Sequence, residues 1–456
     1  MKILFVAFEF PPLGGGGVQR SMKFAKYLPE FGVTPVVITT DLRSFREVMD
    51  NPIDAGLLDE LPGDLIIERI PCPSSRGRNG RVAAWRQIFF SLVEPQAKWW
   101  RPQLERHLPR ILEIHKPEAI YVSLPPFGMG PLWCDFAKRF RLPLVLDFRD
   151  AWSQWNISPY GSWFHYYLTL RLEGSCLGAA SRVVCSSDQI REDLLAEHRG
   201  IPRQKLVTIT NGYDAEIKDW SLLTNPSVGG KFVIGYVGNF YYDPSASEAM
   251  MLPWWRKRPN RMIQYVPRKE DWLYRSPYFF FRAVASLLKN RPELRGRLRI
   301  RFAGRKPEWM DAQVDKFGLN DVMEFVGYLD HRSVLDFQSR CDCLLVTSSK
   351  VPGGADYSIA GKTFEYFGLR KPILGFVTEG AQKEILRKSG MAVICDPDDT
   401  EGSAEKLTDL IEGKITFSPD QIFLQGLHRR ILTRHLVDVL LSLRKEAGGV
   451  VLNIPS

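Results

Sequence analysis

Long apolar runs are missing from this chain of 456 residues. No stretch reaches the about 18 consecutive apolar residues that a membrane-spanning helix needs, so the sequence predicts none. The apolar start, Met1 to Phe8, is short for a signal peptide, and Glu9 and a glycine loop follow it instead of a cleavage site. These absences predict a cytosolic protein.

Patterns for disulfides and metals are missing as well. The seven cysteines are scattered without a Cys-x-x-Cys pair, and Cys341 and Cys343 lie in an apolar strand pattern that predicts burial. The seven histidines lack metal-ligand spacing. Asp396-Pro-Asp398-Asp399 contains an Asp-x-Asp pattern, but it lies between a strand and a helix, which favours capping. We expect no catalytic metal and no bound cofactor.

Repeats and low-complexity tracts are also absent, and 45% hydrophobic with 25% charged residues is typical of a globular protein. The length favours two domains over one. Apolar runs alternate with helical patterns, which predicts an α/β protein with two doubly wound parallel sheets and a ligand cleft between them. A segment with four Gly and Pro residues, 211–230, predicts the boundary, giving domains 1–220 and 221–456. The predicted strands are Lys2 to Phe8, Pro35 to Thr40, Leu65 to Arg69, Ala119 to Ser123, Leu144 to Asp147, Arg182 to Ser186, Leu206 to Thr210, Phe232 to Val237, Leu298 to Ala303, Val322 to Phe325, Leu344 to Thr347, Pro372 to Phe376 and Met391 to Cys395.

Two glycine-rich loops open helices. After the first strand, Gly15, Gly16 and Gly17 allow close approach of an anion or a sugar to backbone N–H groups, although a flexible turn is the alternative. The loop is not a P-loop, because no Gly-Lys-Ser/Thr follows.

The second loop ends at Ala360 and Gly361, where a helix begins. Its N-terminal N–H groups would stabilise a diphosphate, and Lys362 adds a positive charge at a helix end that disfavours lysine. Glu365, one turn on, is placed to bind ribose hydroxyls. The alternative is an acid that complements the helix dipole.

The order of these motifs resembles the retaining glycosyltransferases of family four. The resemblance covers nearly the whole chain, and its other motifs are Asp147-Phe-Arg149-Asp150, Asn211-Gly212-Tyr213-Asp214, Gly235-Tyr-Val-Gly238-Asn-Phe240, Phe302-Ala-Gly304 and Phe325-Val-Gly327-Tyr328. It implies a GT-B fold of two Rossmann-like domains, with the acceptor bound by the first domain and the donor mainly by the second, and with the last helices predicted to cross back.

The resemblance also implies site residues. Glu365 matches the second of the family's two glutamates, but Tyr357 stands where the first would fall. Arg149 and Asp150 replace a frequent His-Asp pair. Asp150 is then expected to orient the acceptor hydroxyl, and Arg149 to face a phosphate or an acidic acceptor, while a plain local ion pair is the alternative. The donor-binding residues implied are Gly15, Gly16, Gly17, Gly238, Asn239, Arg275, Arg305, Tyr328, Ala360, Gly361, Lys362 and Glu365.

The implied reaction transfers a hexose from a UDP- or GDP-sugar to a cell-surface glycan or its lipid-linked precursor, with retention. Two other interpretations stay open. A nucleotide-sugar epimerase has the same fold but needs acid and base groups around the sugar, and no clear set is present. A membrane-docked scaffold without activity is favoured by the missing first glutamate.

The net charge of +9 is concentrated in two basic-aromatic stretches, residues 76–106 and 254–275. Each holds seven basic and two acidic residues together with a Trp pair, Trp99-Trp100 or Trp254-Trp255. We predict docking on an anionic membrane surface, against the alternative of a packed helix and a surface insertion. No nucleic-acid motif accompanies the charge, so a nucleic-acid partner is not expected.

Overall fold

The chain forms two compact units. The computed structural model describes residues 1–44, 53–73, 92–154, 159–215, 230–257, 261–329 and 331–448. Unit 1 contains Met1–Asn211, the segment Ile263–Pro267 and the described residues from Arg429 onward, and unit 2 contains Gly212–Met262 and Arg268–His428. The predicted boundary between residues 220 and 221 lies outside the described residues.

Unit 1 is built on a seven-stranded parallel sheet. Its strands are β1 (Lys2–Val6), β2 (Thr34–Thr40), β3 (Ile66–Ile70), β4 (Ala119–Leu124), β5 (Leu144–Phe148), β6 (Arg182–Cys185) and β7 (Leu206–Thr208). Their order is β3-β2-β1-β4-β5-β6-β7, so the direction of winding changes between β1 and β4. Strand β4 is buried along its whole length, as a sheet covered on both faces requires.

Helices connect these strands. They are α1 (Gly16–Tyr27), α2 (Gly56–Asp59), α3 (Gln96–His115), α4 (Met129–Phe140), α5 (Trp163–Ala179) and α6 (Asp188–Glu197). Ser162 and Ser187 cap α5 and α6 by accepting hydrogen bonds from backbone N–H groups three residues on.

Unit 2 repeats the architecture with a six-stranded parallel sheet in the order β10-β9-β8-β11-β12-β13. The strands are β8 (Phe232–Val237), β9 (Leu298–Ala303), β10 (Met323–Gly327), β11 (Cys343–Thr347), β12 (Ile373–Phe376) and β13 (Ala392–Cys395). The helices are α7 (Pro244–Met251), α8 (Tyr278–Asn290), α9 (Met310–Phe317), α10 (His331–Ser339), α11 (Gly361–Gly368), α12 (Ala381–Ser389), α13 (Thr400–Ile411) and α14 (Gln421–Gly426). The change of winding falls between β8 and β11.

The last helix, α15 (Arg429–Gly448), belongs to unit 1. Arg429 donates to the Gln19 carbonyl at 2.8 Å, and Arg444 forms an ion pair with Glu118. The chain therefore passes through unit 2 and returns to unit 1.

The prediction of two doubly wound parallel sheets is confirmed, and each predicted strand agrees with the observed one within two residues at either end. Cys341 and Cys343 are buried, as expected. Asp399 caps α13, accepting from the Gly402 N–H at 3.0 Å, which agrees with the capping interpretation.

The prediction that Trp100 lies at a membrane surface is wrong. Its side chain is 0% exposed, packs edge-on against Phe8 and donates its indole N–H to the Ile70 carbonyl at 3.0 Å. Residues 76–91 of the first basic-aromatic stretch lie outside the described residues. In the second stretch Tyr265 pairs with Tyr160 inside unit 1, and Trp255 is 64% exposed. None of the described helices is long and apolar enough to cross a membrane.

A buried ion pair holds unit 1 together. Arg20 in α1 donates to both carboxylate oxygens of Asp147 in β5, at 2.8 and 2.9 Å, and also to the Ile209 and Thr210 carbonyls after β7. Tyr121 in β4 donates its hydroxyl to the same carboxylate at 2.5 Å. Burial, followed by the Asp147 charge, raises the pKa of Tyr121, which keeps the phenol a donor. The Arg20–Asp147 pair thus joins helix α1, strands β4 and β5 and the segment after β7.

We expect Arg20→Met to lower the free energy of unfolding by about 3–5 kcal/mol, because it leaves the buried Asp147 carboxylate without its cation. Arg203→Met is the matched control, since Arg203 makes an equally bidentate pair with Glu192 on the surface of the same unit. That control should cost less than about 1 kcal/mol. Urea unfolding followed by circular dichroism measures both, and equal losses would contradict the prediction.

Candidate functional site

Lys362 lies at the carboxyl end of the unit 2 sheet. Its ammonium nitrogen is 3.6 Å from the centroid of the Tyr236 ring and 3.4 Å from the position a Cβ would take on Gly238. Tyr236 itself is fixed, because its ring stacks on Phe240 and its hydroxyl donates to the Asn239 carbonyl at 2.9 Å. Burial lowers the pKa of Lys362 to about 7, and Glu365 partly opposes the shift.

Three neighbouring strands end in glycines that bring backbone to this edge. Gly238, Gly304 and Gly327 follow or end β8, β9 and β10, with φ of 102°, 139° and 85°. A Cβ on Gly304 would lie 2.7 Å from the Gly238 carbonyl oxygen, so no side chain fits there. The edge of the sheet beside Lys362 is therefore formed by glycine backbone without side chains.

Two predicted residues follow these glycines directly. Arg305, after Gly304, is exposed, and Tyr328, after Gly327, is 86% exposed. The structure thus gathers Gly238, Asn239, Arg305 and Lys362 at one edge, with Tyr328 following the adjacent strand.

Helix α11 begins at this edge without a side-chain cap. Ala360, at the N-cap, offers no acceptor, although its own N–H donates to Gln382 at 2.8 Å. The first N–H groups of α11, at Gly361 and Lys362, are thus suited to an anion. Glu365 is exposed one turn further along.

Arg275 belongs to a different group of contacts. Its guanidinium donates to Ser349 Oγ and lies 3.2 Å from Glu270 and 4.0 Å from Asp356. Both carboxylates are at least 99% buried, and Asp356 also accepts from the Ser349 and Ser358 N–H groups. Burial raises the pKa of Asp356, Arg275 opposes the shift, and Glu270 adds to it.

Sequence reasoning missed Glu270 and Asp356. Asp356 directly precedes Tyr357, where the first family glutamate was expected, but no spacing in the sequence indicates that it faces Arg275. Tyr357 is buried, at 5% exposure.

In unit 1, Arg149 follows β5, and its side chain reaches the place between β1 and β4 where the winding of the sheet changes. It donates to the Leu124 and Pro125 carbonyls after β4, at 3.3 and 2.6 Å. A Cβ on Gly17 would collide with Arg149 Nη1 and lie 2.9 Å from Glu9 Oε2. Gly15 and Gly16 are exposed beside them. Glu9, which sequence reasoning treated only as the end of an apolar run, therefore shares this edge with the predicted residues.

Among the described residues no group of three His, Cys, Asp or Glu side chains is arranged to hold a metal.

Family models match both units. Residues 15–212 match the model described as a glycosyl transferase 4-like domain, and residues 270–413 match the model described as glycosyl transferases group 1. The chain belongs to the glycosyltransferases.

Solved structures similar to this glycosyltransferase share its GT-B fold. HepE of Anabaena in complex with UDP has 15% identity and a TM-score of 0.56, over 97% of this chain and 100% of that one. Sucrose-phosphate synthase from Thermosynechococcus elongatus has 12% identity and a TM-score of 0.59, over 98% and 99%. The lipopolysaccharide outer core galactosyltransferase WaaB has 13% identity and a TM-score of 0.58, over 97% and 99%. No curated protein sequence matches the chain.

The pKa of Lys362 predicts how nucleotide binding depends on pH. A diphosphate binds the ammonium form, and above pH 7 a growing share of unliganded Lys362 is neutral. We expect the Kd for UDP or GDP to rise between pH 7 and 8.5, approaching about tenfold per pH unit. Calorimetric titration measures it. Lys362→Met should bind weakly at every pH without this slope, and the same slope in both proteins would contradict the assignment.

We expect replacement of Arg305 and of Arg275 to have different effects. Arg305→Ala is expected to weaken UDP or GDP binding by about 1–3 kcal/mol without changing the thermal midpoint, because Arg305 is exposed at the edge beside Lys362. Arg275→Ala should lower the midpoint by several degrees, because Glu270 and Asp356 lose their cation. Calorimetry and thermal unfolding of both variants test this, and a large stability loss in Arg305→Ala would contradict it.

Proposed function

We propose that this glycosyltransferase moves a hexose from a UDP- or GDP-sugar to a cell-surface glycan or its lipid-linked precursor, with retention at the anomeric carbon. The observation that carries the proposal is the position of Lys362, a partly exposed amine between the Tyr236 ring and the backbone of Gly238. Such a group is suited to the diphosphate of a nucleotide sugar.

The proposed mechanism depends on stabilising the negative charge that develops on the leaving diphosphate. As the glycosidic bond to the diphosphate breaks, negative charge grows on the leaving phosphate oxygens. Lys362, the N-terminal N–H groups of α11 and Arg305 would stabilise that charge. Because these groups are held before the reaction, little reorganisation is needed. A donor phosphate oxygen takes the proton of the acceptor hydroxyl, so retention needs no separate base.

The rest of the donor has candidate partners on the same loop and helix. Glu365, three residues after Lys362, would accept hydrogen bonds from the ribose hydroxyls. Tyr357 stands where the family's first glutamate would fall, but its side chain is buried, so the family's sugar contact is not transferred to it. We expect its replacement to alter donor preference more than diphosphate affinity, because it belongs to the loop that Asp356 anchors.

The structural relatives support a nucleotide-sugar donor. HepE of Anabaena is described in complex with UDP, and WaaB is a galactosyltransferase of the lipopolysaccharide outer core. A glycan acceptor for this chain is inferred from them. Contact with an anionic membrane stays a prediction that now depends on Trp255, Arg256 and Lys257, since Trp100 is buried and Arg258 lies outside the described residues.

A second candidate function is epimerisation of a nucleotide sugar. It is favoured by the similarity to a putative UDP-N-acetylglucosamine 2-epimerase from Listeria monocytogenes, with 12% identity and a TM-score of 0.51 over 98% of this chain and 97% of that one. That likeness concerns the fold alone, whereas both family models describe transferases.

A panel of UDP- and GDP-sugars decides between the two. We expect the purified protein to release UDP or GDP from one donor without forming an epimer, and Lys362→Met to reduce kcat/KM at least about tenfold. The anomeric configuration of a transferred product, read by NMR, should match that of the donor. An epimer without free nucleotide would overturn transfer, and an inverted product would overturn retention. No turnover of any donor would favour a scaffold.

A further inference from the structure

Glu9, Arg149 and Asp150 form a mixed-charge cluster, called here the Glu9 cluster, at the carboxyl edge of the unit 1 sheet. Glu9 follows β1, and the other two follow β5. Arg149 Nη1 and Glu9 Oε2 converge on Gly17, the second residue of α1, where any side chain would displace them. Both of these side chains are only partly exposed. The edge is thus shaped by side chains from two chain segments that meet over a glycine of a third.

Arg149 has little freedom in this arrangement. Its Nε and Nη2 donate to the Leu124 and Pro125 carbonyls, so only the Nη1 side faces Gly17. A guanidinium anchored through two of its nitrogens keeps a fixed direction.

The charge of the cluster disfavours an acidic acceptor. Burial raises the pKa of Glu9, Arg149 opposes the shift and Asp150 adds to it. When Glu9 is ionised, the two carboxylates and Arg149 together carry a net negative charge. With Glu9 protonated, Asp150 still balances Arg149. In neither state does the cluster carry a net positive charge, which argues against the expectation that Arg149 faces a phosphate or an acidic acceptor.

We infer that the Glu9 cluster, which lies in the unit expected to bind the acceptor, selects an uncharged sugar, binding its hydroxyl groups and disfavouring acidic or phosphorylated acceptors. The inference rests on the proposed function. A carboxylate beside a guanidinium matches a hydroxyl well, because a hydroxyl donates to the first and accepts from the second. An acidic sugar would instead be repelled by the Asp150 carboxylate, and also by Glu9 when it is ionised, at an edge that is only partly exposed.

The test compares matched octyl glycosides, glucoside with glucuronide and galactoside with galacturonide, by saturation-transfer NMR and as acceptors. We expect the wild type to bind and use a neutral glycoside and to disfavour its acidic partner. Glu9→Gln and Asp150→Asn should each shift the acidic-to-neutral ratio toward the acid by about tenfold. Glu113→Gln, an exposed carboxylate in the same unit, is the matched control and should leave the ratio unchanged.

Each contrary outcome overturns the inference. These outcomes are a wild-type preference for acidic glycosides, an equal ratio in Glu9→Gln and wild type, and no binding of any glycoside. Failure of the proposed function would show separately, as the absence of UDP or GDP release from every donor.

Discussion

The buried pair of Arg20 and Asp147 sets the geometry on which the rest of unit 1 depends. Arg20 lies one turn beyond Gly17 in α1, and Asp147 lies two residues before Arg149 in β5. Locking these two residues together, 2.8 Å apart, therefore fixes how closely the first turn of α1 approaches the end of β5. The convergence of Glu9 and Arg149 on Gly17 follows from that distance. The buried Arg20–Asp147 pair thus positions the partly exposed edge of the sheet that holds Glu9 and Arg149.

The two sheets place different chemistry at the same topological position. In both, the loops at the change of winding direction carry the polar groups, as expected for parallel α/β sheets. In unit 2 the edge near Lys362 combines cations, bare backbone and a helix N-terminus. In unit 1 the corresponding edge balances one arginine with two carboxylates. Similar backbones thus present a site suited to an anion and a site suited to hydroxyl groups.

Much of the fold was predictable because it depends on local patterns. Alternation of apolar runs and helical periods located each strand of both sheets, and the glycine loop before Lys362 located α11. The site assignments stay predictions, although several of the named residues lie together. Trp100 shows where pattern reasoning failed. Adjacent residues in a helix point about 100° apart, so a Trp pair cannot face solvent together when one side of α3 packs on the sheet. Glu9 and Asp356 could not be found because the cations near them, Arg149 and Arg275, are distant in sequence.

The return of α15 to unit 1 determines the order in which the protein can be completed during synthesis. Unit 2 has all its described strands and helices once His428 has been made. Unit 1 still lacks the helix that pairs Arg444 with Glu118 and bonds Arg429 to Gln19. Domains generally fold as units while the chain emerges. Unit 1 therefore cannot be completed before unit 2 has been synthesised. Until then the surface of unit 1 that α15 later covers stays exposed.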